Sequence, residues 1–546
     1  MTSEFVKKNI VSISLTFLTI ILFIFAKPIY GTTDDFILNS WLNKTYSGLN
    51  EQESIFITTV FSHLMSFTYQ NIGAIAWYPL TLLAVTFFSI LTLLNHVLQS
   101  DNISKKVKHF NVLILTSYYI WSFLGITYTS TAIIAGVASL FTLKEWMRSE
   151  SQKDFTVALL FAFASVVIRP EGFIGAILLI YPIILFKIKI SRVKIFKLSL
   201  FAIFLFSVLF TSKLIESNSP IEMKEYREWA KKVQMFAGRP RMQAAAQVIG
   251  DTGWTTTQYN LFVDLAYFDH KKFNNNWISQ GIEATNPIVT SPKINADKIF
   301  DILVEYFNTL SIYSYILIFS IILSFVSIKG RKNLIFLIAI LGNFGLILLI
   351  NGLFLHNVSR VTIPFAITLI FLISYFFNKN FSNKILSFIN IGLILVFLNY
   401  FIEINNLNTK KELEAVKSRN AIVKDLQDKV VLVHGNQEYF QNFNPYLNLE
   451  KDSDPNVFMV GNWDTFSPQW YRRAKLVGLN QNNIIESLLL DPKVYWSGPS
   501  IPNTTLNLIN YLKESGYGEF NPVKVGSLPN GNDLWKFAKS GGPGES

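Results

Sequence analysis

The chain has no cysteine. That excludes disulfides, thiolate metal sites and cysteine nucleophiles. Charge is scarce too: Asp, Glu, Lys and Arg make up 16% of the residues, against about a quarter in ordinary soluble proteins. Six histidines are spread over 546 residues, none in an HExxH or comparable spacing, so a dedicated histidine metal site is not expected. The net charge of +11 comes with no helix-turn-helix, zinc-finger or RNA-binding signature, so it does not point to nucleic acid.

Apolar residues are abundant, at 50%, and aromatics reach 15%. Long apolar runs alternate with short basic clusters up to about residue 402, and the remainder has soluble composition. This predicts an α-helical polytopic membrane domain over 1–402 and a small α/β domain over 403–539. Residues 540–546 read as a flexible tail or a cloning remnant and are set aside.

A membrane-crossing helix needs about 20 mostly apolar residues. Eleven segments are candidates: 9–26, 72–94, 110–126, 128–143, 155–169, 172–187, 198–213, 308–328, 333–353, 361–377 and 385–402. The first has no small-residue cleavage site before Lys27-Pro28 and reads as a retained anchor. Segment 55–70, apolar but broken by Ser, His and Gln, reads as re-entrant or interfacial.

Loop charge tests the parity, because cytoplasmic loops are enriched in Lys and Arg. With the N-terminus inside, every inside loop is basic, from Lys105, Lys106 and Lys108 to Lys379 and Lys384. The short outside connections at 126–129 and 354–360 hold one Arg, Arg360. Three substantial pieces then fall outside: the first loop (27–71), a long loop (214–307) and the C-terminal domain. In the last, Lys429–Val433 and Asn456–Val460 read as strands, with helical patterns near 408–428 and 503–514.

The first loop opens Gly31-Thr32-Thr33-Asp34-Asp35-Phe36, with Thr33 as the expected cap of a short helix reaching about Tyr46. Acids in a first helical turn are ordinary, since the helix dipole favours them. At an outer membrane surface the same pair offers a general base or a cation ligand. Arg169 and Glu171, in Ile168-Arg169-Pro170-Glu171-Gly172, read either as a bridged hairpin or as an anion clamp built on Arg169. Arg360, in His356-Asn357-Val358-Ser359-Arg360, invites the same two readings. The long loop carries Asp251, Trp254 and Tyr259 in a stretch rich in aromatics, amides and acids, which suits sugar binding as well as interfacial anchoring.

At these residues the chain resembles the C superfamily of glycosyltransferases (GT-C), in particular a bacterial group with that architecture. The resemblance rests on Thr33-Asp34-Asp35-Phe36, on Gly125 through Ala132, on Ile249 through Asp269, and on the layout of spans and outer pieces. It implies transfer of a sugar from a polyprenyl-phosphate carrier to a glycan, lipid or protein acceptor outside the cytoplasm, with inversion. Asp34 or Asp35 would be the general base, with Asp34 preferred by its place in the pair; several relatives carry Glu where this chain has Asp35. Arg169, Arg360 and His356 would hold the donor phosphate, and Glu171, Asp251, Trp254 and Tyr259 the sugar or acceptor. No cofactor is required, although a divalent cation at Asp34 and Asp35 is compatible. The implied location is the bacterial cytoplasmic membrane. An O-antigen-type polymerase or ligase, a lipid or solute transporter, and a membrane receptor are the competing readings.

Overall fold

The computed structural model describes residues 2–540 apart from short internal segments, of which 186–190, 288–295, 375–382, 435–441 and 448–456 are the longest. Most described residues are helical, and one small sheet closes the C-terminal part. The chain begins with α1 (Thr2–Phe25), strand β1 (Ile29–Tyr30), α2 (Thr33–Leu42), α3 (Thr59–Asn71), α4 (Trp77–Gln99) and α5 (Lys105–Leu124). Strand β2 (Gly125–Ile126), α6 (Tyr128–Ser149), α7 (Gln152–Ile168), α8 (Pro170–Leu185) and α9 (Arg192–Ser217) follow.

Among the described residues, three helices are long and apolar enough to cross a membrane: α4, α9 and the Ser387–Ile422 part of α18 (Asn383–Asp425). A fourth span would come from α14 (Ala296–Leu310) and α15 (Ile312–Ser327), which are bent by 112° across Asp301–Leu310 and Tyr313–Ile322. The expected count of eleven is not reached by length and apolarity. Among the described residues, the expected spans at α17 (Ser359–Ser374) and α6 are respectively shorter and more polar than these. Phe17, Phe25, Phe206, Phe388 and Leu395 stand exposed on α1, α9 and α18, an apolar surface of the kind that a membrane or partner covers.

The innermost helix is α6, packed by α4, α7, α8 and α17. Its small residues explain the closeness. A Cβ on Gly136 would sit 3.0 Å from Ala176 Cβ, and one on Gly172 of α8 would sit 3.0 Å from Ala132 Cβ. Ser165 and Ser139 close the α6–α7 seam by donating to the carbonyls of Ala132 (2.6 Å) and Ala158 (2.7 Å). Small residues and short polar side chains are the usual cement between apolar helices.

The long loop folds into α10 (Ile221–Phe236), α11 (Arg239–Gln247), α12 (Thr256–Val263) and α13 (Asn275–Thr285). After α16 (Arg331–Phe354), α17 and α18 comes the sheet. Its strands are β3 (Val430–His434), β4 (Val457–Val460), β5 (Val494–Pro499), β6 (Phe520–Ser527) and β7 (Asn532–Lys539), in the order β4-β3-β5-β7-β6. The first three are parallel and the last two pairings antiparallel. Helices α19 (Pro468–Leu476), α20 (Ile484–Leu490) and α21 (Asn503–Glu514) connect them. Both strands and the 503–514 helix expected from sequence form. The helical pattern near 408–428 does not belong to the α/β unit: it continues the last apolar helix as the 43-residue α18, so no break falls at 402.

The three pieces that loop charge assigns to the outside pack on one another. Glu51 of the first loop meets Arg472 at 2.7 Å, and Glu53 meets Arg227 of α10 at 2.9 Å. Asp269 accepts from the hydroxyls of Tyr511 (2.6 Å) and Tyr517 (2.9 Å). One apolar cluster joins Ile37 and Trp41 of α2, Trp229 and Trp277 of the long loop, and Trp470 and Trp496 of the α/β unit.

β1 and β2 pair in parallel, Ile29 with Gly125 and Tyr30 with Ile126, which brings the start of α2 beside the start of α6. Gly31 lies at this junction, where a Cβ would come within 2.3 Å of Thr127 Cγ2 and 2.7 Å of the Gly125 carbonyl oxygen. The backbone oxygen cannot rotate away. Gly31→Ala is therefore expected to cost about 1–3 kcal/mol, the range for overpacking, seen as a lower unfolding temperature of the detergent-solubilised protein. An unchanged unfolding temperature would show that the junction yields freely.

Candidate active site

Two adjacent carboxylates leave α2 in different directions. Thr32, one residue before the expected cap, has extended backbone, and its hydroxyl accepts from the Asp35 amide at 3.3 Å. This starts the helix at Thr33 and ends it at Leu42. The Asp35 side chain turns inward and is 0% exposed. Its Oδ1 accepts from the Tyr78 hydroxyl and from the Tyr128 backbone amide, both at 2.9 Å, and its Oδ2 accepts from the Thr32 hydroxyl at 2.6 Å. A carboxylate with three short donors and no exposure joins the first loop to α4 and α6.

Burial is the strongest influence on this group and pushes its pKa from 3.8 up to about 7. The hydrogen bonds from Thr32, Tyr128 and Tyr78 and the nearby Arg360 charge act the other way and limit the rise.

Asp34 turns to the outside and keeps 17% of its side chain exposed. Its Oδ2 accepts from Nη1 of Arg360, at the start of α17, at 2.8 Å. Arg169 closes the other flank. It follows α7, donates through Nη1 to Thr129 Oγ1 at 2.8 Å, and stands over the Tyr128 ring at 5.1 Å. Tyr128 lies within electrostatic reach of Asp34, Asp35, Arg169 and Arg360. Its hydroxyl is buried and has no hydrogen-bond partner among the described residues. The structure thus draws together Asp34, Asp35, Arg169 and Arg360 from three separate parts of the sequence.

Other expected residues are placed differently. Glu171 is mostly exposed and meets Arg169 Nε at 3.6 Å, the hairpin bridge of the simpler reading. His356 lies outside the described residues. Asp251 lies in a short 3-10 turn, Ile249–Thr252. Trp254, expected to stack on a sugar, is instead buried. It stacks on Trp277 at 3.8 Å and 8° and donates from Nε1 to the Trp277 carbonyl. Both ring faces are engaged in the core, so Trp254 packs the long loop and leaves no open face. The Tyr259 hydroxyl donates to the Met242 carbonyl at 2.9 Å, within the same loop.

The oxygens of the acidic pair are engaged by protein groups. Asp35 spends its oxygens on three protein donors, and Asp34 faces a guanidinium. No third acidic or histidine side chain joins them in a metal-binding group among the described residues.

Sequence reasoning gave no site role to Thr32 or Tyr78; Tyr128 stood only within the Gly125–Ala132 pattern, and Asp464, beside Trp463, read as a glycan contact or a core residue. Asp464 is buried, accepts from the Tyr46 hydroxyl, and leaves Oδ1 without a partner among the described residues. Burial raises its pKa to about 7, with Asp34 near enough to add to the rise. The one local signal was the Ser/Thr cap pattern at Thr32; the others come from tertiary contacts.

Fold and site define a largely helical protein with long apolar helices, an outer body crowned by an α/β unit, and an acid–arginine cluster where the two meet. No family model, curated protein or solved structure matches the chain.

A buried carboxyl with a raised pKa favours the fold in its protonated form. Asp35 and Asp464 therefore support the fold fully below about pH 4, and that support is lost as pH rises through about 7. The unfolding temperature is expected to fall across this window, and Asp35→Asn to make the fall shallower. A pH scan of both proteins by thermal unfolding checks this, and equal slopes would remove Asp35 from the account.

Proposed function

We propose that this chain is a multi-pass membrane glycosyltransferase of the GT-C type. It would move a sugar from a polyprenyl-phosphate carrier to an acceptor outside the cytoplasm, with inversion. The observation that carries the reading is the division of labour in the acidic pair: Asp35 is buried and saturated, while Asp34 is partly exposed and sits 2.8 Å from Arg360. Asp34 is then the base. The resemblance around Asp34 and the packing of the three outer pieces into one body support the reading.

The chemistry balances with the groups present. The acceptor hydroxyl oxygen attacks the anomeric carbon. The bond from that carbon to the phosphate oxygen breaks, and its electron pair leaves on the phosphate. Asp34 takes the hydroxyl proton. Arg169 and Arg360 meet the charge gathering on the phosphate, the strongest use of fixed cations at a water-poor site. A single displacement with one base and no covalent intermediate inverts the anomeric centre.

Arg360 links the two halves of the reaction. Without donor its charge rests on Asp34. A donor phosphate competes for the same guanidinium and leaves the carboxylate free to accept a proton. Donor binding before acceptor activation follows, which restrains wasteful hydrolysis.

Purified protein supplied with polyprenyl-phosphate sugars tests the base. Asp34→Asn is expected to lose about 10²–10⁴-fold in turnover, the usual worth of a general base. Asp35→Asn should keep part of the activity, in proportion to how well the loop folds. Full transfer by Asp34→Asn would exclude the base and favour the polymerase or ligase reading, which needs the arginines alone. Transport of a lipid-linked sugar without transfer would favour a carrier.

The reading also fixes sidedness, with the N-terminus in the cytoplasm, eleven crossings and the C-terminal domain outside, in a bacterial cytoplasmic membrane. Single cysteines replacing Asn50 and Asn482 should react with an impermeant thiol reagent added to the outer face of intact cells. Reaction only after the inner face is opened would overturn the topology.

A further inference from the structure

The outer body holds a cleft remote in sequence from the acid–arginine cluster. Its volume is about 490 Å³, within the range of small-molecule sites. One wall is α10, with Glu222, Glu225, Tyr226 and Trp229. A second is the turn from His270 to Asn275, and a third is Phe466, Pro468 and Tyr471 of the α/β unit. A neighbouring cavity of about 530 Å³, lined by Glu51, Glu53 and Arg472, shares Glu222 and Pro468 with it. The two adjoin, and the second holds the ion pair of Arg472 and Glu51 at 2.7 Å.

The lining is specific in kind. Phe466 and Tyr471 offer partly exposed rings beside the buried Tyr226, Trp229 and Phe273, and the exposed Glu222 and Glu225 offer acceptors at the i and i+3 positions of one helix face. Asn275 Oδ1 is buried yet has no hydrogen-bond partner among the described residues, an acceptor waiting for a donor. Among the described residues, the charged side chains lining the 490 Å³ cleft are carboxylates, and burial lowers the pKa of His270. Phe466, at the edge, holds φ at 69°, a region that bulky residues avoid and that strained binding sites retain. In the 490 Å³ cleft, rings for C–H faces, carboxylates and an amide for hydroxyls, with no Lys or Arg in the lining, describe a sugar site rather than an anion site.

We infer that this groove binds an oligosaccharide that is uncharged or carries amino sugars, and that it discriminates against uronic acids and phosphorylated glycans. Calling this glycan the acceptor rests on the transferase reading; binding itself does not. A chain of contacts runs from the groove to Tyr128, which feels the charge of the proposed base Asp34. The Tyr226 hydroxyl donates to the Trp463 carbonyl at 2.6 Å, the Trp463 ring meets Phe56 at 4.6 Å, and Phe56 lies 6.4 Å from Tyr128.

The test is binding of the full-length protein, in lipid nanodiscs, to an array of neutral, amino-sugar and uronic-acid oligosaccharides, followed by calorimetry on the best probe. Neutral or amino-sugar probes should bind and uronic acids should not. Tyr471→Ala and Glu225→Gln should each weaken binding about fivefold to tenfold, while Tyr471→Phe, which keeps the ring, and Asp34→Asn should bind as wild type. Glu225 is exposed, so its variant carries the test if Tyr471→Ala unfolds. Binding of no array glycan, preference for uronic acids, or affinity unmoved by Glu225→Gln would each overturn the inference. Transfer intact without groove binding would sink this inference alone; groove binding intact with no sugar transfer by the wild type would sink the transferase reading alone.

Discussion

The buried Asp35 carboxyl is the constraint on which the site depends. It takes donors from Thr32, Tyr78 and the Tyr128 amide, so the first loop, α4 and α6 share one anchor. A buried acid is costly unless its oxygens are satisfied, and three donors satisfy them here. Because the backbone of α2 is held by Asp35, the neighbouring side chain has little choice of direction. Consecutive helical residues point about 100° apart. Fixing Asp35 inward therefore aims Asp34 away from the core and toward Arg360.

The same economy appears in the ion pair. Arg360 and Asp34 are both partly buried, with 23% and 17% of their side chains exposed, and each offsets the desolvation of the other. Arg169 has its own support in Thr129 and the Tyr128 ring. Under the proposed reaction, two cations and one base share a small volume without an exposed excess of either sign, and an arriving phosphate shifts that balance. The unpartnered Tyr128 hydroxyl sits among these charges.

Around the site, the outer body is held by aromatic packing and by polar contacts that cross between segments. Tyr46 reaches Asp464, Tyr226 reaches the Trp463 carbonyl, and Tyr511 and Tyr517 converge on Asp269. These pairs are far apart in sequence, so closing them is costly in chain entropy and rewards the complete fold rather than any local piece. The loop from Gly461 to Ser467, after β4, is where the α/β unit meets α2 and α10, which places it between the groove and the acid–arginine cluster.

The sequence by itself determined the elements that rest on local pattern. Apolar runs set where helices such as α4 and α9 lie, and β-branched runs set β3 and β4. It also singled out the acidic pair and both arginines, because charges are conspicuous in an apolar chain. It did not show that α18 runs on from the last apolar run through the polar residues after 402, nor that Trp254 is a core residue. A ring that stacks on a sugar and a ring that stacks on Trp277 have the same local signature. Only the tertiary structure separated Asp34 from Asp35, since the two share composition, neighbours and helix turn. What distinguishes them is which donors lie across the space each side chain enters, and those donors come from residues about 40, 90 and 330 positions away.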